Sequence, residues 1–189
     1  MIGSVDVLVL AELQREYTTD GRPFRIASIG SSLALCRSLL ATARRRGWIV
    51  AHVRRVQDGL LFNPTLVHGR FEEGFEPTSA ELVFDNPGRP GAMAAPGFAD
   101  FVAAVVRSGA RVHVAGYAGE HGVLATLIDL AGQGLRPVLL ADATASCAVG
   151  GLDEAGAQAA FVALAGRYAD VARAADLLHA PAVGLQPVL

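Results

Sequence analysis

Lysine is absent from this chain, and all 16 basic residues are arginine. With no side-chain amine, Schiff-base chemistry and lysine general-base chemistry are excluded. Cysteine is nearly absent too. Cys36 and Cys147 stand far apart, form no C-x-x-C pattern and follow no secretory signal, so the sequence predicts a reduced cytoplasmic setting and no disulfide framework. No G-x-G-x-x-G follows the first apolar run and no G-x-x-x-x-G-K-[ST] occurs, which argues against dinucleotide and ATP use. No H-x-x-H, H-E-x-x-H or paired-carboxylate spacing suggests a metal, so neither metal nor cofactor is expected. Apolar stretches break at Gly, Arg or His before the ~18 to 20 residues of a membrane span, so no membrane partner is expected. Charged residues make up only 18% and the formal net charge is -2, with no basic cluster dense enough to track a phosphate backbone. Nucleic acid is therefore not an expected partner. Arg44 to Arg46 read as the last turn of a helix, where cations face the free carbonyls.

What the chain has is apolar residues, 52% of 189, enough for one α/β domain with a large core. Abundant Ala, Gly and Val beside arginine suggest a GC-rich bacterial genome. Val5 to Leu10 reads DVLVL after Val5, an apolar run of strand length broken only by Asp6, as in a strand buried on both faces of a parallel sheet. A polar loop from Glu12 to about Pro23 leads to a helical stretch over Ile26 to Arg46, stopped by Gly47, and Trp48 to Val53 is the next strand. Ala99 to Arg107 and Glu120 to Ala131 read as helices, Val112 to Ala115 and Val138 to Ala141 as strands. Glu154 to Arg167 followed by Tyr168 to Ala172 adds one more pair. This alternation predicts a three-layer α/β/α sandwich around a mostly parallel, doubly wound sheet of about six strands. A single domain over 1–178 with a tail over 179–189 is expected. Arg54 to Ala80 lacks periodicity and reads as an active-site flap or a dimer arm.

In such sheets ligands bind beyond the carboxyl ends of the strands, where strand order reverses. That directs attention to Glu12 and Gln14, Arg54, Arg55 and Gln57, Asp85 to Arg89, Gly116 to Gly122, and Asp142 to Ser146. The motifs found there resemble a known family. VLVLAELQREY (7–17) is similar to the first strand of isochorismatase-like hydrolases, which ends in D-x-Q, with Glu12 in place of the aspartate. VAGYAGEHGVLATLIDLAGQGLRPVLLADATAS (114–146) resembles the family's second signature, a strand, a turn carrying the nucleophilic cysteine, a helix, and a strand ending in D-A. WIVAHVRR matches the second strand, and ELVFDNPGRPGAM the segment that carries the family lysine.

The resemblance spans nearly the whole chain and implies an Asp, Lys and Cys triad at positions occupied here by Glu12, Asn86 and Gly122. Thioester-based amide hydrolysis is therefore not expected. GYAGEHGVL (116–124) is similar to the turn of the isochorismatases of siderophore and phenazine pathways, which carry glycine at the cysteine position. Those enzymes hydrolyse a vinyl ether and need an acid that protonates carbon. A carboxyl in a dry pocket stays protonated near neutrality, so Glu12 is the candidate acid. His121 is the candidate proton carrier.

Arg54 and Arg55 are candidates to clamp a carboxylate, and Arg89 is the cation nearest the missing lysine. Gln14, Asn86, Tyr117, Gly119, Glu120 and Gly122 complete the expected substrate-binding set, the last four at a helix start that favours an anion. His52, His113 and both cysteines read as structural, and Asp142 as the organiser of its loop. Two functions follow. One is a cofactor-independent hydrolase or lyase of a small anionic metabolite, set by the resemblance in bacterial secondary metabolism. The other is a repurposed member that binds a ligand or dimerises without chemistry. The resemblance further implies a homodimer or higher homo-oligomer.

Overall fold

In the computed structural model, which describes residues 5–179, the apolar run after Asp6 forms β1 (Val7–Ala11), with all five residues buried. Its side chains alternate between two cores. Val7, Val9 and Ala11 face one, and Leu8 and Leu10 the other, the period of two a pleated strand imposes. A strand apolar at every position must be covered on both sides, and each buried aliphatic contributes roughly 1.5–3 kcal/mol.

Parallel partners flank β1 on both sides, β2 (Ile49–Arg55) and β4 (Val112–Gly116). Beyond them lie β3 (Leu82–Asn86), β5 (Val138–Thr144) and β6 (Asp170–Ala172), in the order β3-β2-β1-β4-β5-β6 with every pairing parallel. This is the expected six-stranded doubly wound sheet. Residues of α2 (Phe98–Ser108), α3 (Leu124–Gly132) and α4 (Glu154–Ala165) fill one core, and α1 (Gly30–Arg46) with α5 (Ala174–His179) the other. Gly47, at φ 66, closes α1 in the left-handed conformation, with Arg44, Arg45 and Arg46 in the last turn as read from the sequence.

Several boundaries differ from expectation. The first helix begins at Gly30, not Ile26, because the N–H groups of Ala27 and Ser28 donate to the Glu154 carboxylate at 2.7 and 2.9 Å. The helix expected from Glu120 opens as a wide π turn over Gly119–Val123 and becomes α-helical at Leu124. The last strand shortens to Asp170–Ala172 because Tyr168 and Ala169 hydrogen-bond back to Ala165. The short α5 escaped the sequence reading, and Asp142 holds its start by accepting from the N–H groups of Ala174 and Ala175. Of the expected tail, His179 ends α5 and 180–189 lie outside the described residues, as do 1–4.

His52 and His113 are core residues: His52 bonds Glu81 at 3.0 Å, and His113 stacks on Trp48 at 5.0 Å. Among the described residues no helix is long and apolar enough to cross a membrane.

Candidate active site

Strand order reverses between β1 and β4, so the residues that follow these two strands meet in one crevice. Glu12 is the first residue after β1. Its φ of 48° lies in the left-handed region that a side chain of this size rarely adopts, a strain that concentrates at functional sites. The residue is 3% exposed, and its Oε2 accepts a 2.6 Å hydrogen bond from the Tyr17 hydroxyl. Burial pushes the carboxyl up to about 7, against the lowering effects of Tyr17 and of the Arg55 charge, while Glu120 adds to the rise. Near neutrality Glu12 holds or releases a proton with little bias, the condition an acid–base catalyst needs.

Arg55 ends β2 and lies between two rings, its guanidinium 4.4 Å from the centre of Phe62 and 5.4 Å from that of Phe24. Its Nε is buried without a hydrogen-bond partner among the described residues. The guanidinium therefore reaches the crevice with donor capacity free for a carboxylate. Its charge also acts on His121, whose imidazole is held below its ordinary value first by burial and then by Arg55. His121 is thus neutral at pH 7 and able to accept a proton. Glu120 is half-buried, raised by burial, and accepts from the N–H of Cys147 at 3.2 Å.

The fold thus brings together Glu12, Arg55, Glu120, His121 and Gly122. Gly122 opens directly onto Glu12, whose Oε1 would lie 2.7 Å from a Cβ placed there.

Other expected substrate contacts are occupied elsewhere. The Gln14 amide is fully buried, giving Nε2–H to the carbonyls of Arg55 and Gly69 and accepting from Arg55 N–H. Asn86 spends its amide inside its own loop, donating to the carbonyls of Arg89 and Gly91. It stabilises the turn. Arg54 leaves β2 on the face opposite Arg55 and makes a two-pronged pair with Asp85 at 2.9 and 2.7 Å. Arg89 is exposed on the loop after β3. The Tyr117 hydroxyl points to Ser32, 3.0 Å away, on α1. The Gly119 N–H donates to Ala145 O, and a side chain there would strike Phe161 and Ser146.

Sequence reasoning missed Tyr17, Phe24 and Phe62. Tyr17 sits in a polar loop with no period, and its only signal is an aromatic hydroxyl five residues after the acid. Its ring centre lies 5.4 Å from that of Phe62, 5.9 Å from that of Tyr117 and 6.4 Å from that of Phe24, in tilted and edge-on contacts, so an aromatic wall encloses the Glu12 carboxyl. Phe62 carries the other non-glycine positive φ, 51°. The Cys147 Sγ lies 3.6 Å from Phe24 O, and its thiol is pushed up to about 12 by burial and then by Glu120, Glu154 and Glu12.

The segment after β2 covers the crevice. Gln14 bridges to Phe71, Arg15 N–H reaches Arg70 O, and Glu72 N–H reaches Leu13 O. A cavity of about 1080 Å³ lies outside this cover, lined by Arg22, Pro23, Val56, Gln57, Leu60 and Leu61 among others. Glu12 is not among its walls. Arg55, Phe24 and Phe62 are the chain neighbours of Val56, Pro23 and Leu61, so the wall of the cavity runs on into the aromatic cover of the acid.

Comparison with known proteins bears on the whole domain. The model of the isochorismatase domain matches residues 6–176. The fold is similar to that of an isochorismatase from Pseudomonas putida KT2440, at TM-score 0.80 and 25% identity over 92% of this chain and 90% of that one. It is also similar to a cysteine hydrolase from Pseudomonas syringae pv. phaseolicola 1448A, at TM-score 0.76 and 14% identity over 92% and 90%. A third likeness is N-carbamoylsarcosine amidase from Thermoplasma acidophilum, at TM-score 0.70 and 15% identity over 90% and 96%. No curated protein sequence matches the chain.

Proposed function

Because the chain belongs to the isochorismatase domain family, we propose that it is a hydrolase of a small anionic metabolite that works by acid–base chemistry at Glu12, without a cysteine nucleophile or a cofactor. The observation that carries this reading is the buried, strained Glu12 carboxyl, pushed up to about 7, at the reversal of strand order. A residue held that way costs stability, which a purely structural position has no reason to bear. The substrate class that suits it is a vinyl ether bearing a carboxylate. The Glu12 carboxyl protonates the vinyl-ether carbon, giving an oxocarbenium ion. Water adds to that ion and gives its proton to neutral His121 or back to Glu12. The resulting hemiketal collapses to a ketone and an alcohol. Arg55 holds the carboxylate, and the aromatic cover excludes bulk water. Bacterial secondary metabolism and a homo-oligomeric state belong to the same proposal.

One observation favours a second reading, a member kept as a ligand-binding or dimeric scaffold. Glu12 is only 3% exposed beneath the Phe24, Phe62 and Arg55 cover, so chemistry requires this cover to open. Isochorismate hydrolysis measured against pH, for the wild type and Glu12→Gln, separates the two. The acid reading expects turnover that falls as pH rises through about 7, and a loss on the order of a hundredfold or more in the variant. No turnover of isochorismate or of related vinyl ethers, with ligand binding equal in both proteins, establishes the scaffold.

A further inference from the structure

Glycine at 122 is not demanded by the backbone. Gly122 is not among the glycines with positive φ, and its carbonyl accepts from the Thr126 hydroxyl at 2.8 Å. The obstacle to a side chain there is specific. A Cβ on Gly122 would stand 2.7 Å from Glu12 Oε1 and 3.2 Å from its Cδ, with the Tyr117 carbonyl next at 3.4 Å. Glu12 has little freedom to withdraw, because Oε2 is tied to Tyr17, the backbone is fixed at φ 48°, and the whole residue is buried. A carboxyl one methylene shorter would retract by about 1.5 Å, one C–C bond, and clear the position.

From this contact we infer that Glu12 and Gly122 form a reciprocal pair, in which the missing side chain at 122 is what lets the longer carboxyl reach into the crevice. The inference rests on Glu12 being the working group of the proposed function. Glu12 Oε1 stands where a side chain on residue 122 would begin, so a reactive group on 122 and a glutamate at 12 exclude each other on this backbone. The acid is delivered from the end of β1 to the spot that the start of the following helix would otherwise serve. Gly122 acts through Glu12 and is a positioning residue.

Thermal unfolding from pH 4 to 9 tests the pair in the unliganded protein, using the wild type, Gly122→Ala, Glu12→Asp and Glu12→Asp/Gly122→Ala, with Glu12→Gln as the reference that subtracts the histidines. Alanine at 122 is expected to lower Tm in the glutamate background and to leave it unchanged in the aspartate background. It is further expected to move the midpoint of the Glu12-linked step upward from about 7, as the carboxyl is forced off the Tyr17 donor that favours its charged form. A glycine needed only for packing would lower Tm without moving that midpoint. Equal losses in both backgrounds, or an unmoved midpoint, overturn the pair. If Gly122→Ala does not fold, the two aspartate proteins decide alone: equal Tm supports the pair, and a loss caused by alanine overturns it. Isochorismate plays no part, so failure of the coupling and failure of the proposed hydrolysis are read separately.

Discussion

Tyr17 sets how far burial raises the acid. Its hydroxyl donates to Glu12 Oε2 at 2.6 Å and so favours the charged carboxylate, opposing the desolvation that dominates the shift. Tyr17→Phe keeps the ring against Phe62 and Tyr117 and removes only the donor. A hydrogen bond to a charged group is worth roughly 1.5–3 kcal/mol, so the variant's carboxyl should rise by about one pH unit or more. The descending limb of kcat/KM is expected to move to higher pH by that amount, and a pH–rate profile on isochorismate reads it. The thiols allow an equally simple check. Burial pushes both Cys36 and Cys147 up to about 12, so neither supplies thiolate at neutral pH. Iodoacetamide at pH 7 should leave turnover intact, and rapid inactivation would put Cys147 into the chemistry. Glu12 was legible in the sequence because it ends a continuous apolar run, where a carboxylate is conspicuous. Tyr17, Phe24 and Phe62 were not, since nothing in a loop's pattern says which ring folds back over the site.

At the scale of elements, the segment between β2 and β3 decides access to the acid, and a polar knot fastens its far end. Glu81 receives Arg44 at 2.7 and 3.0 Å, bonds His52 at 3.0 Å, and is held down at about 2. Burial works against that lowering, which comes from Arg44, Thr78 and His52. Glu81→Gln loses the charge that pairs Arg44 and should cost roughly 1–3 kcal/mol, with faster amide exchange over 56–80 and little change in the central strands. Uniform exchange rates across the chain would mean the segment is fastened elsewhere. This segment is also where the sequence said least. Strands β1, β2, β4 and β5 showed as apolar runs because both their faces are covered. Edge strand β3, with Leu82 and Val83 40% and 42% exposed, was legible only through the family resemblance of its neighbourhood. The six-residue α5 is too short for a period to show.

At the scale of the whole molecule, the sheet order that gathers Glu12, Arg55 and His121 also makes folding stability depend on the protons of Glu12 and His121. A carboxyl raised from 4.5 to about 7 on folding leaves the native state holding a proton that the unfolded chain has lost, so its stability contribution is complete below pH 4.5 and disappears as pH rises through 7. At 1.36 kcal/mol per pH unit the loss is roughly 3 kcal/mol. His52, His113 and His121 act in the opposite sense. All three are lowered from 6.5 first by burial, so their unfolded forms bind protons more readily and stability rises with pH up to 6.5. The opposed slopes hide the glutamate in a single unfolding curve, and subtraction reveals it. Urea unfolding of the wild type and Glu12→Gln between pH 4 and 9 cancels the histidines, which both share. The wild type is expected to lose ground to the variant steadily from pH 4.5 and to level off above pH 7, by roughly 3 kcal/mol. A difference independent of pH would mean that folding leaves Glu12 titrating as an ordinary carboxylate, and the acid at the centre of this site would no longer hold its proton where the chemistry needs it.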